Sequence, residues 1–520
     1  MPSPCRCCFG AEVALDAPQR AAPARRAHPR SRPTCLPRIP RYAASTKKTP
    51  STRPCSWCVF LPRGHQSFIS RSLSSRPLPP TSPLTRSTAP LPDAQWGCGE
   101  DGQLGLDFAP VTSSKCALDW SVPTPTALAL PDGDRVARRD STHPTKPILA
   151  GSRNSAVVAR SGALYTWGWN SHDTLGLDTE KEWVKTPCRV APFPSESEAS
   201  PNASVKLATL GGWHASAITR DGRIYAWGGN EYGQAGVDAG AHRHDFVHVS
   251  LHVSIPAPVL SGMRVRLVAC GGMNTFAVTE PRGEVYQWGM TVGSQKEPAR
   301  APEMVPGMRD VATLAAGMFH ALALQTDGRV LSWGSGDYGQ LGLGKPGNWD
   351  TPQIIEGLSR AGVVTVAAGG WHSAAITAGR VCYVWGRGED GRLGLGEDAR
   401  DKQAPTELKL PNRVIDAALG GTHTCLLDDT GAVLSFGRNN HGRLGRVVHG
   451  KWTGDPGVVV FPPPPGGGRW RVTGVAAGGR HTLATAVPVP AEDETTRFMR
   501  SGSTGSQGGS QHSSPMRAQS

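Results

Sequence analysis

Two short motifs recur through this 520-residue chain in fixed alternation, seven times each, and such a repeat constrains the fold more tightly than length or composition. The first is an aromatic residue followed by glycine, a polar loop and a Gly-Gln-Leu-Gly-like close, as in QWGCGEDGQLGL at 95–106 and SWGSGDYGQLGL at 332–343. Its anchors are Trp96, Trp167, Trp227, Trp288, Trp333, Trp385 and Phe436, spaced 71, 60, 61, 45, 52 and 51 residues apart, and the copy at Trp288 lacks the close. The second reads Gly-Gly-x-His-(Ser/Thr/Ala) and then alternates apolar residues, as in GGWHSAAIT at 369–377; its divergent first copy is AGSRNSAVV at 150–158 and its last is GGRHTLATA at 478–486.

Between a second motif and the first motif that follows it lies a turn such as Arg220-Asp221-Gly222-Arg223 or Thr326-Asp327-Gly328-Arg329. Asp-Gly between alternating apolar runs predicts an antiparallel hairpin with a type I′ turn, whose two central residues take positive φ. The segments between hairpins have room for the outer strands of a blade. The chain's first motif, at 95–106, and its last, at 478–486, each lack a partner in sequence. Paired with each other they complete a seventh hairpin, so the expectation is an all-β, seven-bladed propeller closed by its N- and C-terminal strands, which leaves no unpaired inner edge.

These paired motifs resemble the repeats of the regulator-of-chromosome-condensation family, a propeller group related to the β-lactamase inhibitor protein II superfamily, over residues 93–487. The resemblance implies a propeller and a protein partner, within the orbit of small GTPases; it does not choose among activities, because one fold hosts many. In the family's Ran exchange factor one repeat carries Asp immediately before the repeated His, and no copy here does. The family's plant ultraviolet-B receptor carries Gly-Trp-Arg-His-Thr, whereas Trp213 and Trp371 stand one place later, where the receptor has Arg. A stacked tryptophan cluster with cross-dimer arginines is therefore not expected.

The formal charge of +13 is located entirely in residues 1–92, which hold fifteen Lys/Arg against Glu12 and Asp16, while the rest of the chain balances. Attraction to nucleic acid or a membrane surface is accordingly assigned to this Pro/Arg/Ser-rich segment, which reads as disordered, as does the Ser/Gly/Gln-rich stretch 488–520. Three readings of 1–92 are open: an organellar presequence, centred on Ser67-Phe68-Ile69-Ser70-Arg71-Ser72-Leu73, which leads; an electrostatic docking arm; or a mispredicted start. The first places the chain in mitochondria or another organelle, the others in cytoplasm or nucleus. No run of about 18 apolar residues predicts a membrane helix, and the first thirty residues do not form the apolar run of a secretory signal. The twelve cysteines are expected as thiols.

Five of the sixteen histidines, His214, His320, His372, His423 and His481, occupy one position of one motif. A position repeated on every strand reads first as a packing or turn-bonding site, with general-base or metal chemistry second. The Trp-Gly tryptophans read as core between blades; Trp169, Trp213 and Trp371 lie in loops, free to meet a partner. No nucleophile elbow, phosphate loop or metal-ligand spacing is present, and the lone pair Cys55 and Cys58 is weak support for zinc, so no catalytic residue, cofactor, metal or small-molecule substrate is expected.

The variable column just before the repeated His holds Arg153, Trp213, Met273, Phe319, Trp371, Thr422 and Arg480. These fall on loops of one face and match the residue types of interface hot spots; the competing role is packing onto one another at the ring's mouth. Two linkers are long, 107–149 and 238–268, and the alternation around Phe246, His248 and Leu251 suggests a protruding hairpin. The leading expectation is a protein-binding scaffold using that loop-lined face. Its alternatives are a guanine-nucleotide exchange factor for a Ran-like GTPase and an organelle-targeted assembly factor.

Overall fold

Seven four-stranded antiparallel sheets are arranged as the motifs require, in a computed structural model that describes residues 93–106, 121–138, 146–191, 193, 204–236, 253–254, 264–290 and 297–491. The readings of residues 1–92, and of the chain beyond 491, lie outside the described residues. In one representative blade the strands run Val363–Ala368, His372–Thr377, Cys382–Gly386 and Lys402–Leu408. The first strand of each blade neighbours the first strands of the blades beside it, so these seven form the inner ring.

The motif hairpin is thus the middle pair of each sheet. The linker before it supplies the inner strand and the linker after it the outermost one, so the segments between hairpins furnish both flanking strands of the blades. Two faces result. The Gly-Gly-x-His loop, between the first and second strands, and the Trp-Gly loop, between the third and fourth, share one end of every blade, here the motif face. The turns between the second and third strands mark the opposite end, here the hairpin face.

Ring closure follows the predicted pairing. Asp93–Cys98 lies antiparallel to His481–Val489, with Gln95 opposite Leu483 and Gly97 opposite His481, while Arg469–Ala477 and Ser121–Leu128 flank the pair. Long linkers are consumed in the same way. Residues Ser121–Leu128 and Ile148–Ala150 belong to two different blades, and Val253–Ser254 bonds to Tyr225 and Ala226 as a fourth strand. The alternating run around position 250 therefore ends in a blade; Phe246, His248 and Leu251 lie outside the described residues.

The turn type differs from expectation. At Arg220-Asp221-Gly222 the Gly222 N–H donates to Thr219 O (2.9 Å) and Thr219 N–H to Arg223 O (3.0 Å), and of these loop residues Gly222 alone has positive φ, +84°. This is a three-residue loop, a type I turn followed by a left-handed glycine, not a type I′ turn. A three-residue loop places the glycine third, where one left-handed residue restores strand register.

Each of the seven hydrophobic clusters bridges two neighbouring blades; one joins Leu322, Leu324 and Val330 to Val363, Val366 and Trp385. The anchors Trp96, Trp167, Trp227, Trp288, Trp333, Trp385 and Phe436 are all buried. In six blades the glycine after the anchor sits at a β-bulge between the third and fourth strands: on Gly386, at φ +103°, a Cβ would lie 2.7 Å from Trp371 O. The Gly-Gly pair has a different reason. Gly212 N–H donates to Gly271 O of the next blade, and equivalent bonds link Ser152 to Gly211, Gly272 to Met318, Met318 to Gly369, Gly370 to Gly420, Gly421 to Gly478 and Gly479 to Gly151, at 3.0–3.4 Å. The loops thereby form a closed ring of main-chain hydrogen bonds, and a Cβ on Gly211 would stand 2.5 Å from Gly271 O.

Candidate protein-binding face

The repeated histidines build the rigid floor beneath the motif face. His372 Nε2 lies 2.8 Å from Thr424 Oγ1 of the next blade, and Thr424 Oγ1 donates to Arg392 O at 2.8 Å, back in the histidine's own blade. Since the hydroxyl proton is engaged by the carbonyl, the imidazole is the donor, protonated at Nε2. The same clasp joins His214 to Thr275, His320 to Ser373, His423 to Thr482 and His481 to Ser155. Burial pushes His214 down to about 4 and His320 and His481 to about 3, and holds His372 and His423 well below the usual imidazole range, so all five are neutral. A neutral imidazole fixed on a hydroxyl inside a blade junction has no route to substrate; the packing reading of this column is the one the geometry supports.

Two junctions lack the clasp, and they lack both halves of it. Asn154 and Asn274 stand at the histidine position, and the next blades present Ala215 and Ala321 at the hydroxyl position. Without a hydroxyl, a buried imidazole N–H would be orphaned, at a cost of about 1–3 kcal/mol. Tryptophans complete the junctions: Gln103 O accepts from Ser155 Oγ at 2.8 Å and from Trp167 Nε1 at 3.0 Å, and Gln340 O from Ser373 and Trp385 in the same way.

Above this floor the seven column residues occupy equivalent loop positions on the motif face. Six are half-buried and Arg480 is exposed. Their side chains do not gather into one central cluster; they pair locally, mostly with residues of the Trp-Gly loops. Arg153 grips buried Asp101 with two contacts, Nε to Oδ2 at 2.7 Å and Nη2 to Oδ1, and its guanidinium covers the Trp169 ring at 4.3 Å. Arg480 faces Glu100 at 3.5 Å, and Thr422 accepts from Arg443 at 2.8 Å. Trp213 and Met273 line the loops of the two blades between these groups and the aromatic cluster.

That cluster is the densest part of the face. Phe319 and Trp371 have ring centroids 4.4 Å apart, Tyr338 meets Trp371 edge-on at 5.3 Å, and Arg387 lies 4.4 Å over Tyr338 and 5.7 Å over Trp371. Glu389 holds the outer side of Arg387 at 2.5 Å. The neighbouring buried Arg392, pushed down to about 10 chiefly by desolvation, donates to Glu389 O at 2.7 Å and fixes that loop.

Tyr338, Arg387 and Asp101 were not singled out from the sequence. They occupy variable positions of the Trp-Gly loop, and the signal that finds them is the one used for the other motif: columns that vary within an invariant frame. Among the described residues no group of His, Cys, Asp or Glu is arranged to hold a metal ion.

Comparison with known proteins agrees with this architecture. The RCC1-like domain matches residues 95–425, and regulator of chromosome condensation (RCC1) repeats match 414–443 and 430–485. The ultraviolet-B receptor UVR8 of Arabidopsis thaliana is 28% identical over 360 residues, 67% of this chain and 73% of that protein. The secretion-regulating guanine nucleotide exchange factor of Bos taurus is 31% identical over 313 residues, 57% of this chain and 64% of that protein. The crystal structure of Prp20p from Saccharomyces cerevisiae superposes with a TM-score of 0.62 at 20% identity, covering 80% of this chain and 96% of that one. With its motifs, blade count and closure in place, the chain belongs to the RCC1-like family of β-propellers.

Proposed function

We propose that this chain is a protein-binding propeller that takes its partner on the motif face, across the column Arg153, Trp213, Met273, Phe319, Trp371, Thr422 and Arg480, with the heaviest contact at Phe319, Tyr338, Trp371 and Arg387. The observation that carries this reading is the half-buried aromatic and arginine cluster on a floor whose clasps and hydrogen-bond ring hold it rigid. Trp, Tyr and Arg dominate interface hot spots, the two aromatics because they bury large areas with few rotors and Arg through its planar fork of donors, and a preformed surface loses little entropy on binding.

A second reading, nucleotide exchange on a Ran-like small GTPase, draws support from the relative named as a guanine nucleotide exchange factor and from the carboxylates Asp337, Glu389 and Asp390 in the cluster's loops. No acid stands in the column itself. Affinity purification of the full chain tests both readings. A partner retained by the wild type and lost with Trp371→Ala supports the face, and faster release of labelled GDP from a recovered GTPase selects the second reading. Partners held equally by Trp371→Ala and Arg387→Ala would refute both.

A further inference from the structure

The hairpin face carries a cavity of about 990 Å³ walled by parts of four consecutive blades. Arg135 and Arg138 come from the segment entering one blade, Arg160 from that blade's turn, Arg380 from another turn, and Arg471 from the inner strand of the closing blade. Drawn from separate parts of the sequence, the five arginines line one cavity because each lies at the hairpin end of its blade. Among the described residues no aspartate or glutamate lines the cavity, and its other polar side chains are threonines such as Thr365 and Thr473.

Among the described residues none of the five arginines forms an ion pair, and the one side-chain hydrogen bond they make is from Arg160 Nε to Val136 O, at 3.3 Å. Asp134, beside them in sequence, is occupied by the Arg135 N–H at 2.7 Å and by the Ser161 hydroxyl. A second cavity of about 230 Å³ shares Arg138 and Arg160 and adds Lys206, Arg220 and Lys146, the last of which pairs with Asp416, with no acid among its described lining residues. Five like charges around one concavity repel one another until an anion enters. Guanidinium offers a planar fork that matches phosphate oxygens in pairs, and the volume is in the range of about 300–1,000 Å³ usual for small-molecule sites.

We infer that this cavity binds a small polyphosphorylated ligand, on the face opposite the one assigned to the protein partner. The ligand carries several phosphate groups on a compact frame, so that separated guanidiniums are engaged together, with the threonines donating to the remaining oxygens. The site is independent of the motif face, and its test stands or falls apart from the partner's.

The test uses the full chain with inositol hexakisphosphate as probe, and inorganic phosphate and a short single-stranded RNA as comparators. Calorimetry and hydrogen exchange with mass spectrometry are run on the wild type, Arg135→Gln, Arg471→Gln and the double variant. All five arginines are exposed at their surface, so these variants keep the fold. The expected result is one hexakisphosphate site, about tenfold weaker in each single variant, with exchange protection in 363–381 and 469–489. Inorganic phosphate binds far more weakly. Affinity unchanged in the double variant, or protection confined to residues 1–92, overturns the proposal. So does RNA binding that the variants abolish while hexakisphosphate fails to bind. Neutralising Glu492, Asp493 and Glu494, which follow the cavity wall in sequence, leaves affinity unchanged; a gain of tenfold or more would show that these carboxylates occupy the cavity instead.

Discussion

Thr424→Ala tests whether the clasp holds neighbouring blades together through two coupled partners. Thr424 is fully buried, accepts from His372 Nε2 at 2.8 Å and donates to Arg392 O at 2.8 Å. Phe436 stands where every other blade has tryptophan, so no indole N–H compensates at that carbonyl. Removing the hydroxyl orphans a buried N–H and a carbonyl, each at about 1–3 kcal/mol, so a loss of about 2–4 kcal/mol is expected after partial relaxation. The chain's own unclasped junctions, Asn154 with Ala215 and Asn274 with Ala321, supply the compensating change, His372→Asn. The measurement is a double-mutant cycle from urea unfolding followed by tryptophan fluorescence, accepted where each transition is single and the slopes agree. His372→Asn with Thr424→Ala should cost at least about 1 kcal/mol less than the sum of the single changes. Additivity within about 0.5 kcal/mol would refute the coupling and leave the clasp as two unrelated contacts.

Three further outcomes follow from the same geometry. Because burial lowers the five histidines below their unfolded value of 6.5, the unfolded chain takes up protons that the folded chain refuses; stability is complete above about pH 6.5 and falls on acidification towards pH 4, by about 1.4 kcal/mol per histidine per pH unit, and a flat acid titration of the unfolding midpoint would contradict this. Burial raises the thiols of Cys270, Cys382 and Cys425 to about 12, so iodoacetamide at pH 8 should leave them unmodified in the native chain and modify them after denaturation. Trp371→Ala, at a half-buried loop position, should weaken partner binding by at least about 2 kcal/mol while lowering the unfolding midpoint little; a large loss of stability with unchanged binding would make the cluster a packing device.

The ring was legible because its constraints are local. A buried aromatic before a bulged glycine, and a glycine pair where neighbouring backbones touch, admit so few substitutions that the motifs survive in nearly every blade. The closing blade was legible for the same reason, since Trp96 and His481 are each half of a recognisable hairpin. What was hidden depends on distance in space. Tyr338 and Arg387 become partners only because adjacent blades bring two variable loops together. The cavity arginines disappear in a sequence whose propeller charge sums to zero, and only the fold sorts Arg135, Arg160, Arg380 and Arg471 to one end. The Asp-Gly turns were legible as turns but not as a type, because loop length is set by strand register rather than by the dipeptide.

The most direct test of the motif face is a hydrogen-exchange footprint of the full chain bound to the partner it captures. Protection should concentrate in the loops at 335–340, 369–372 and 387–391, with the hairpin turns at 220–223 and 326–329 unchanged. Protection at those turns, with the motif loops exchanging as in the free chain, would contradict the account.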